Sequence, residues 1–207
     1  MKTIRHVSWV FMSVLIIGGT AIFFKDVWAA RTQPSLPVYG RVPAFALIDD
    51  QQQPVFDEAL RGRVWVAEFI FTRCAGQCPM MNHQMAVLAS TFRPQETIAF
   101  VSFTVDPTHD TSMVLADYRK TSGLSDPRWR LVTGSQEEMA RVCHEGFHLA
   151  FAEDGANPVE PITHSTRFVL VDPIGQIRGY YDALDADAVA RLTRDARRLL
   201  EIAANSS

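Results

Sequence analysis

Two cysteines four residues apart, in Cys74-Ala75-Gly76-Gln77-Cys78-Pro79, are the residues of this sequence best suited to chemistry. A thiolate is a nucleophile, an electron donor and a soft metal ligand. Two of them in one loop can form a redox couple or hold a metal together. A helical pattern follows from Met80 to Phe92. Pro79 disfavours an α conformation at Cys78 and suits the first helical position, so Cys78 is expected near the helix N-cap. There the partial positive charge of the helix would lower its pKa. A plain structural disulfide is the blander reading. Closing so short a loop would stabilise the fold by only about 2 kcal/mol in the chain-entropy description. A stapling pair would instead bridge distant segments.

Other residues compete for or could supplement this site. His6 precedes an apolar run, His83 lies on the helix after the pair, and His109 falls in a turn. His144 and His148 flank a helix end, and His164 stands in Pro161-Ile162-Thr163-His164-Ser165, just before an apolar strand. Imidazole suits copper beside thiolate, but each histidine taken alone reads as a surface or core residue. His144-Glu145-Gly146-Phe147-His148 matches the H-E-x-x-H pattern of zinc proteases, which needs both imidazoles on one continuous helix face. Gly146 is expected to end the helix and Phe147 to start a strand running to Phe151, so the two would diverge. Cys143 keeps helical step with Met139 and Val142 and reads as a buried hydrophobe, as do Met81, Met85 and Leu88. Arg194, Arg197 and Arg198 read as a solvated helix face.

The elements that must position the pair are legible around it. Phe45–Ile48 and the segment near Val55 suggest a hairpin across Asp49-Asp50-Gln51. Val64–Phe71 and Ile98–Val105 are nearly continuous apolar runs of strand length, as expected for strands buried on both faces. Cys74 follows the first of these, at the carboxyl end of a strand, where open α/β sheets build their sites. Thr111 or Ser112 can cap a helix to about Thr121, and Ser135-Gln136-Glu137-Glu138 fits a capping box for a helix to about His144. Trp129–Val132 is a short strand. Thr166–Val171 and Ile177–Tyr181 flank the turn signal Asp172-Pro173-Ile174-Gly175, and Leu184–Ala204 closes the chain as an amphipathic helix. Asp185 or Asp187 lies near that helix's positive end. Strands alternating with helices, then a hairpin and a last helix, give an α/β domain of thioredoxin type.

The whole chain has 207 residues and a formal net charge of −3, which supplies no electrostatic footprint for nucleic acid. Its 47% hydrophobic content excludes a disordered chain, and three cysteines are too few for a disulfide scaffold. A mean hydropathy of zero conceals an uncharged run from Val7 to Phe24. As a helix this run would be roughly 27 Å long, near the thickness of a hydrocarbon core. Residues 1–6 are expected on the cytoplasmic side, 7–24 as a single N-terminal transmembrane helix, 25–39 as a linker and 40–204 as the exported domain. A cleaved signal peptide is the alternative; either reading exports the domain to an oxidising compartment.

FTRCAGQCP, SFTVDPTHDT and THSTRFVLVDPIGQI, in this order and at these separations, resemble the Sco/SenC family over about residues 40 to 200. The resemblance implies a membrane-anchored, thioredoxin-fold copper protein associated with assembly of the copper centre of cytochrome c oxidase. It implies Cys74, Cys78 and His164 as copper ligands, with Cys74 and Cys78 also a redox pair. The expected partner is the copper-bearing oxidase subunit or another copper protein. A thiol–disulfide oxidoreductase that keeps partner cysteines reduced for metallation is the alternative function.

Overall fold

The computed structural model describes residues 35–74, 76–94, 96–148 and 166–205, with the backbone of two short strands at 152–153 and 162–163. The chain divides into two units, Met1–Ser35 and Leu36–Ser207, and every element below belongs to the second. The span expected at residues 7–24 lies outside the described residues, as does His164. Among the described residues, no helix is long and apolar enough to cross a membrane.

In chain order the strands and helices are β1 (Gly40–Arg41), β2 (Ala46–Asp49), β3 (Pro54–Phe56), β4 (Val64–Ile70), α1 (Gln77–Ser90), β5 (Ile98–Thr104) and α2 (Ser112–Thr121). There follow β6 (Trp129–Thr133), α3 (Gln136–Arg141), β7 (Ala152–Glu153), β8 (Ile162–Thr163), β9 (Arg167–Val171), β10 (Gln176–Asp182) and α4 (Ala186–Asn205). Eight strands form one mixed sheet in the order β1-β10-β9-β4-β5-β6-β2-β3, and β7 pairs with β8 separately. The expected hairpin is β2–β3, antiparallel through Leu47↔Val55.

Every residue of β4 and β5 is buried, and the two run parallel from Val64↔Ile98 to Ile70↔Thr104. Their side chains alternate between two cores, as the pleat requires. Val64, Val66, Ile98 and Phe100 meet Met81, Met85 and Leu88 of α1, Leu115 of α2 and Leu192, Ala196 and Leu199 of α4. Trp65, Phe69 and Phe103 face the opposite way, with Phe45, Leu47, Met139, Val142 and Cys143. The Met81-Met85-Leu88 stripe and Cys143 are thus core, as their spacing suggested. Thr111 and Ser135 cap α2 and α3, accepting the N–H groups of Val114 (3.4 Å) and Glu138 (3.2 Å). Asp185 accepts the Asp187 N–H at 2.9 Å where α4 starts.

Two expectations need correction. First, α1 begins at Gln77 with Gly76 as its N-cap, which makes Pro79 the third helical residue rather than the first. Proline is tolerated there because none of the first four amides has an intrahelical partner. Second, Phe147 does not open a strand. After α3 the chain makes a π-helical turn over Val142–Gly146, and Phe147 ends it, its N–H donating to the Val142 carbonyl at 3.1 Å. Aromatic packing fixes Phe147 in place: its ring lies 5.1 Å from Phe69, 5.4 Å from Phe103 and 6.0 Å from Trp65.

Candidate dithiol site

Cys74 leaves β4 and Cys78 sits in the first turn of α1, both at the carboxyl end of the parallel strands. Cys74 is 7% exposed and Cys78 not at all. Cys143 is a free thiol. Gly76 at the N-cap has no side chain to satisfy the helix's first amides. The sulfur of Cys74 does so instead, accepting the Cys78 N–H at 3.4 Å. The helix N-terminus therefore favours negative charge on Cys74, not on Cys78 as the sequence suggested. Cys78 moves the other way: its hydrogen bond to Cys74, then burial, push its thiol well above the usual range, and the charges of Cys74 and Glu68 add to this.

A polar stripe runs beneath these thiols. Glu68 is fully buried on the α1-facing side of β4, opposite Ser102 of β5. Its Oε1 accepts the Ser102 hydroxyl at 2.6 Å, and Ser102 in turn accepts the indole N–H of Trp129 at 2.7 Å. Burial pushes the Glu68 carboxyl up to about 7, the Ser102 bond only partly opposing it. Among the described residues, Glu68 Oε2 and Asn82 Oδ1 are buried and find no hydrogen-bond partner. The other end of Asn82 donates to the Tyr118 hydroxyl at 2.6 Å. Burial raises the Tyr118 pKa. Sequence reading missed Glu68, although a lone charge in Val-Trp-Val-Ala-Glu-Phe-Ile-Phe was the available signal.

Among the described residues, the remaining candidates do not join this site. His83 and His109 are exposed, and His144 and His148 do not share a helix face. His148 lies beyond the π-helical turn in the left-handed region, at φ 53°. Gly146 has no room to continue the pattern, since a Cβ there would come within 2.5 Å of the Pro43 ring. Cys143 is a buried thiol whose pKa burial raises to about 12. Among the described residues no group of three or more His, Cys, Asp or Glu could hold a metal ion. Cys74 and Cys78 offer two soft donors side by side, a set that fits a soft ion such as Cu(I) and needs a further ligand from elsewhere.

A mixed sheet with a cysteine pair between its central strand and the following helix places this chain among proteins of thioredoxin-like fold. A family model described as SCO1/SenC matches residues 38–201, and the chain belongs to that family. An SCO1 protein homolog of Bacillus subtilis is 28% identical over 189 residues, covering 89% of this chain and 91% of its own. A putative copper-binding protein of Stutzerimonas stutzeri is 30% identical over 163 residues, 76% of this chain and 77% of its own. The solved structure of BsSco, described as having a disulfide switch and as a member of the Sco family of cytochrome c oxidase assembly proteins, superposes with a TM-score of 0.72. It is 26% identical, and the match covers 83% of this chain and 99% of that one.

Proposed function

We propose that this protein is an exported, membrane-tethered copper carrier that receives copper on Cys74 and Cys78. His164 completes the site, and the metal passes to the copper centre of a respiratory cytochrome c oxidase or to another copper protein. The observation that carries this reading is the pair itself: two cysteines hydrogen-bonded to each other, almost wholly shielded from water, at the carboxyl end of the parallel strands. Sulfur donors held together in a low-dielectric setting suit Cu(I), and imidazole is a compatible third ligand. Loading releases the Cys78 proton, because only the thiolate coordinates strongly. Delivery then follows by ligand exchange, a partner's thiolate or imidazole replacing one sulfur at a time. The helix expected at residues 7–24 would keep the domain at the membrane surface where such a partner stands.

A second reading is favoured by one feature of the site. Cys74 accepts a helix N-terminal amide while Cys78 holds its proton, which is the division of labour of an attacking and a resolving thiol. As an oxidoreductase, the Cys74 thiolate would attack a partner disulfide to give a mixed disulfide. Cys78, on losing its proton, would attack Cys74 and release the partner's second thiol, leaving the partner reduced and the pair oxidised.

One titration tests both readings. The reduced full chain in detergent, titrated anaerobically with Cu(I) against a chromophoric chelator, is expected to bind one equivalent, and the disulfide form none. An oxidised protein that binds as tightly as the reduced one overturns the carrier reading. His164→Ala is expected to weaken Cu(I) binding by at least about tenfold, the scale typical of disturbed metal sites, while leaving disulfide exchange unchanged. Unchanged Cu(I) affinity in His164→Ala, with disulfide exchange also unchanged, assigns the oxidoreductase role.

A further inference from the structure

The Thr72-Arg73-Cys74 segment is held from behind by a residue thirty-six positions further along the chain. Asp110, fully buried in the loop between β5 and α2, accepts three hydrogen bonds from the ends of two neighbouring strands. Its Oδ1 accepts the Thr72 hydroxyl at 2.5 Å. Its Oδ2 accepts both the Thr72 N–H at 3.1 Å and the Thr104 hydroxyl at 2.5 Å. The loop that carries Asp110 is itself fixed: its N–H donates to the Asp106 carbonyl at 2.8 Å, and the Asp106 N–H donates to the Thr104 hydroxyl oxygen at 3.0 Å. Arg73, between Thr72 and Cys74, reaches Asp106 at 2.6 Å. Backbone and side chain of Thr72 are thus both anchored two residues before the sulfur that caps α1.

We infer that Asp110 is a positioning residue for the dithiol: by pinning Thr72 to the end of β5 it sets where Cys74 leaves the sheet, and so holds its sulfur beside Cys78. Preorganisation of this kind raises the effective concentration of one thiol at the other. It favours every product that needs both sulfurs together, the disulfide as much as a bridged metal. Hydrogen-bond acceptance, not negative charge, is the working property. An amide could replace the carboxylate, since Oδ1 of asparagine can accept the Thr72 N–H and the Thr104 hydroxyl while Nδ2 donates to the Thr72 hydroxyl oxygen. Alanine can do none of this and leaves a buried N–H and two hydroxyls to find other partners.

The inference rests on Cys74 and Cys78 being the working pair, but not on copper, so it is read from thiol chemistry alone. The full chain is equilibrated with reduced and oxidised glutathione and the Cys74–Cys78 disulfide quantified. In Asp110→Ala the equilibrium constant for forming the disulfide is expected to fall about tenfold, the scale of disturbed supporting shells. Asp110→Asn is expected to stay within about threefold of the parent. Cys143, buried on the other face of the sheet, must remain unreactive to iodoacetamide in each variant, which reports that the fold is intact. Should the alanine variant fail that check, Thr72→Val, which removes one hydroxyl donor and keeps the N–H, takes its place with a smaller shift in the same direction. An unchanged constant in a folded Asp110→Ala or Thr72→Val protein overturns the inference, as does an asparagine variant as impaired as alanine. Failure of the parent to bind copper would leave this readout standing and would count against the carrier reading alone.

Discussion

Replacing both Cys74 and Cys78 by serine is expected to lower Cu(I) affinity by more than about 100-fold, beyond what losing a supporting residue costs a metal site. A hydroxyl neither ionises near neutrality nor matches a soft ion, so two oxygens in place of two sulfurs remove the donor set and leave its shape. The single variants separate coordination from folding. Serine at position 74 can still accept the Cys78 N–H, so Cys74→Ser is expected to keep its stability within about 1 kcal/mol of the parent. Serine at position 78 puts a hydroxyl into a fully buried place beside Met81 and Met85, and Cys78→Ser is expected to lose about 1–3 kcal/mol. Both should lose most of their copper affinity, although only one is destabilised. Cys143→Ser supplies the control, because that thiol lies in the core on the opposite face of the sheet and copper binding should survive its loss. Competition against a chromophoric chelator gives the affinities, and urea unfolding gives the stabilities. Full affinity in the double variant would end the carrier reading.

How much of this site the sequence could disclose depends on which forces act locally. The strands β4 and β5 were legible because burial on both faces demands unbroken apolar runs, and Thr111 and Ser135 because capping is local chemistry. Cys74 and Cys78 stood out by type and spacing. What the sequence misjudged was the electrostatics between them. Pro79 suggested a helix start that would bring Cys78 to the N-cap, but Gly76 takes that position and the orphan amide turns to the Cys74 sulfur. The end of α3 failed for a different reason. Phe147 has strand propensity, yet an aromatic pocket made by Trp65, Phe69 and Phe103, distant in sequence, claims it first. Asp110 stood in plain view in Ser-Phe-Thr-Val-Asp-Pro-Thr-His-Asp-Thr, but its meeting with Thr72 depends on β4 and β5 lying side by side, which no local pattern states.

Glu68→Gln is expected to remove most of a pH dependence that the parent protein carries at its centre. In the folded chain this carboxyl titrates near 7, against an ordinary value of 4.5, because burial penalises its charged form more than the Ser102 hydrogen bond favours it. Between those two values the folded state holds a proton that the unfolded state has released. Its stabilising contribution is therefore complete below about 4.5, declines as pH rises, and is lost once pH passes about 7. The full difference amounts to roughly 3 kcal/mol at pH 8, since each pKa unit is worth about 1.4 kcal/mol. Glutamine has nearly the same shape, can accept the Ser102 hydroxyl, and does not ionise. At pH 5 the two proteins should unfold at similar urea concentrations. At pH 8 the glutamine variant should be the more stable by a few kcal/mol. Every other titrating group is common to both, so the difference between the two curves isolates this carboxyl. Parallel curves from pH 5 to pH 8 would show that Glu68 ionises in the folded protein as readily as in water. A carboxyl this costly, facing the same core as the thiols, sets a price in stability at neutral pH that an apolar residue in β4 would not.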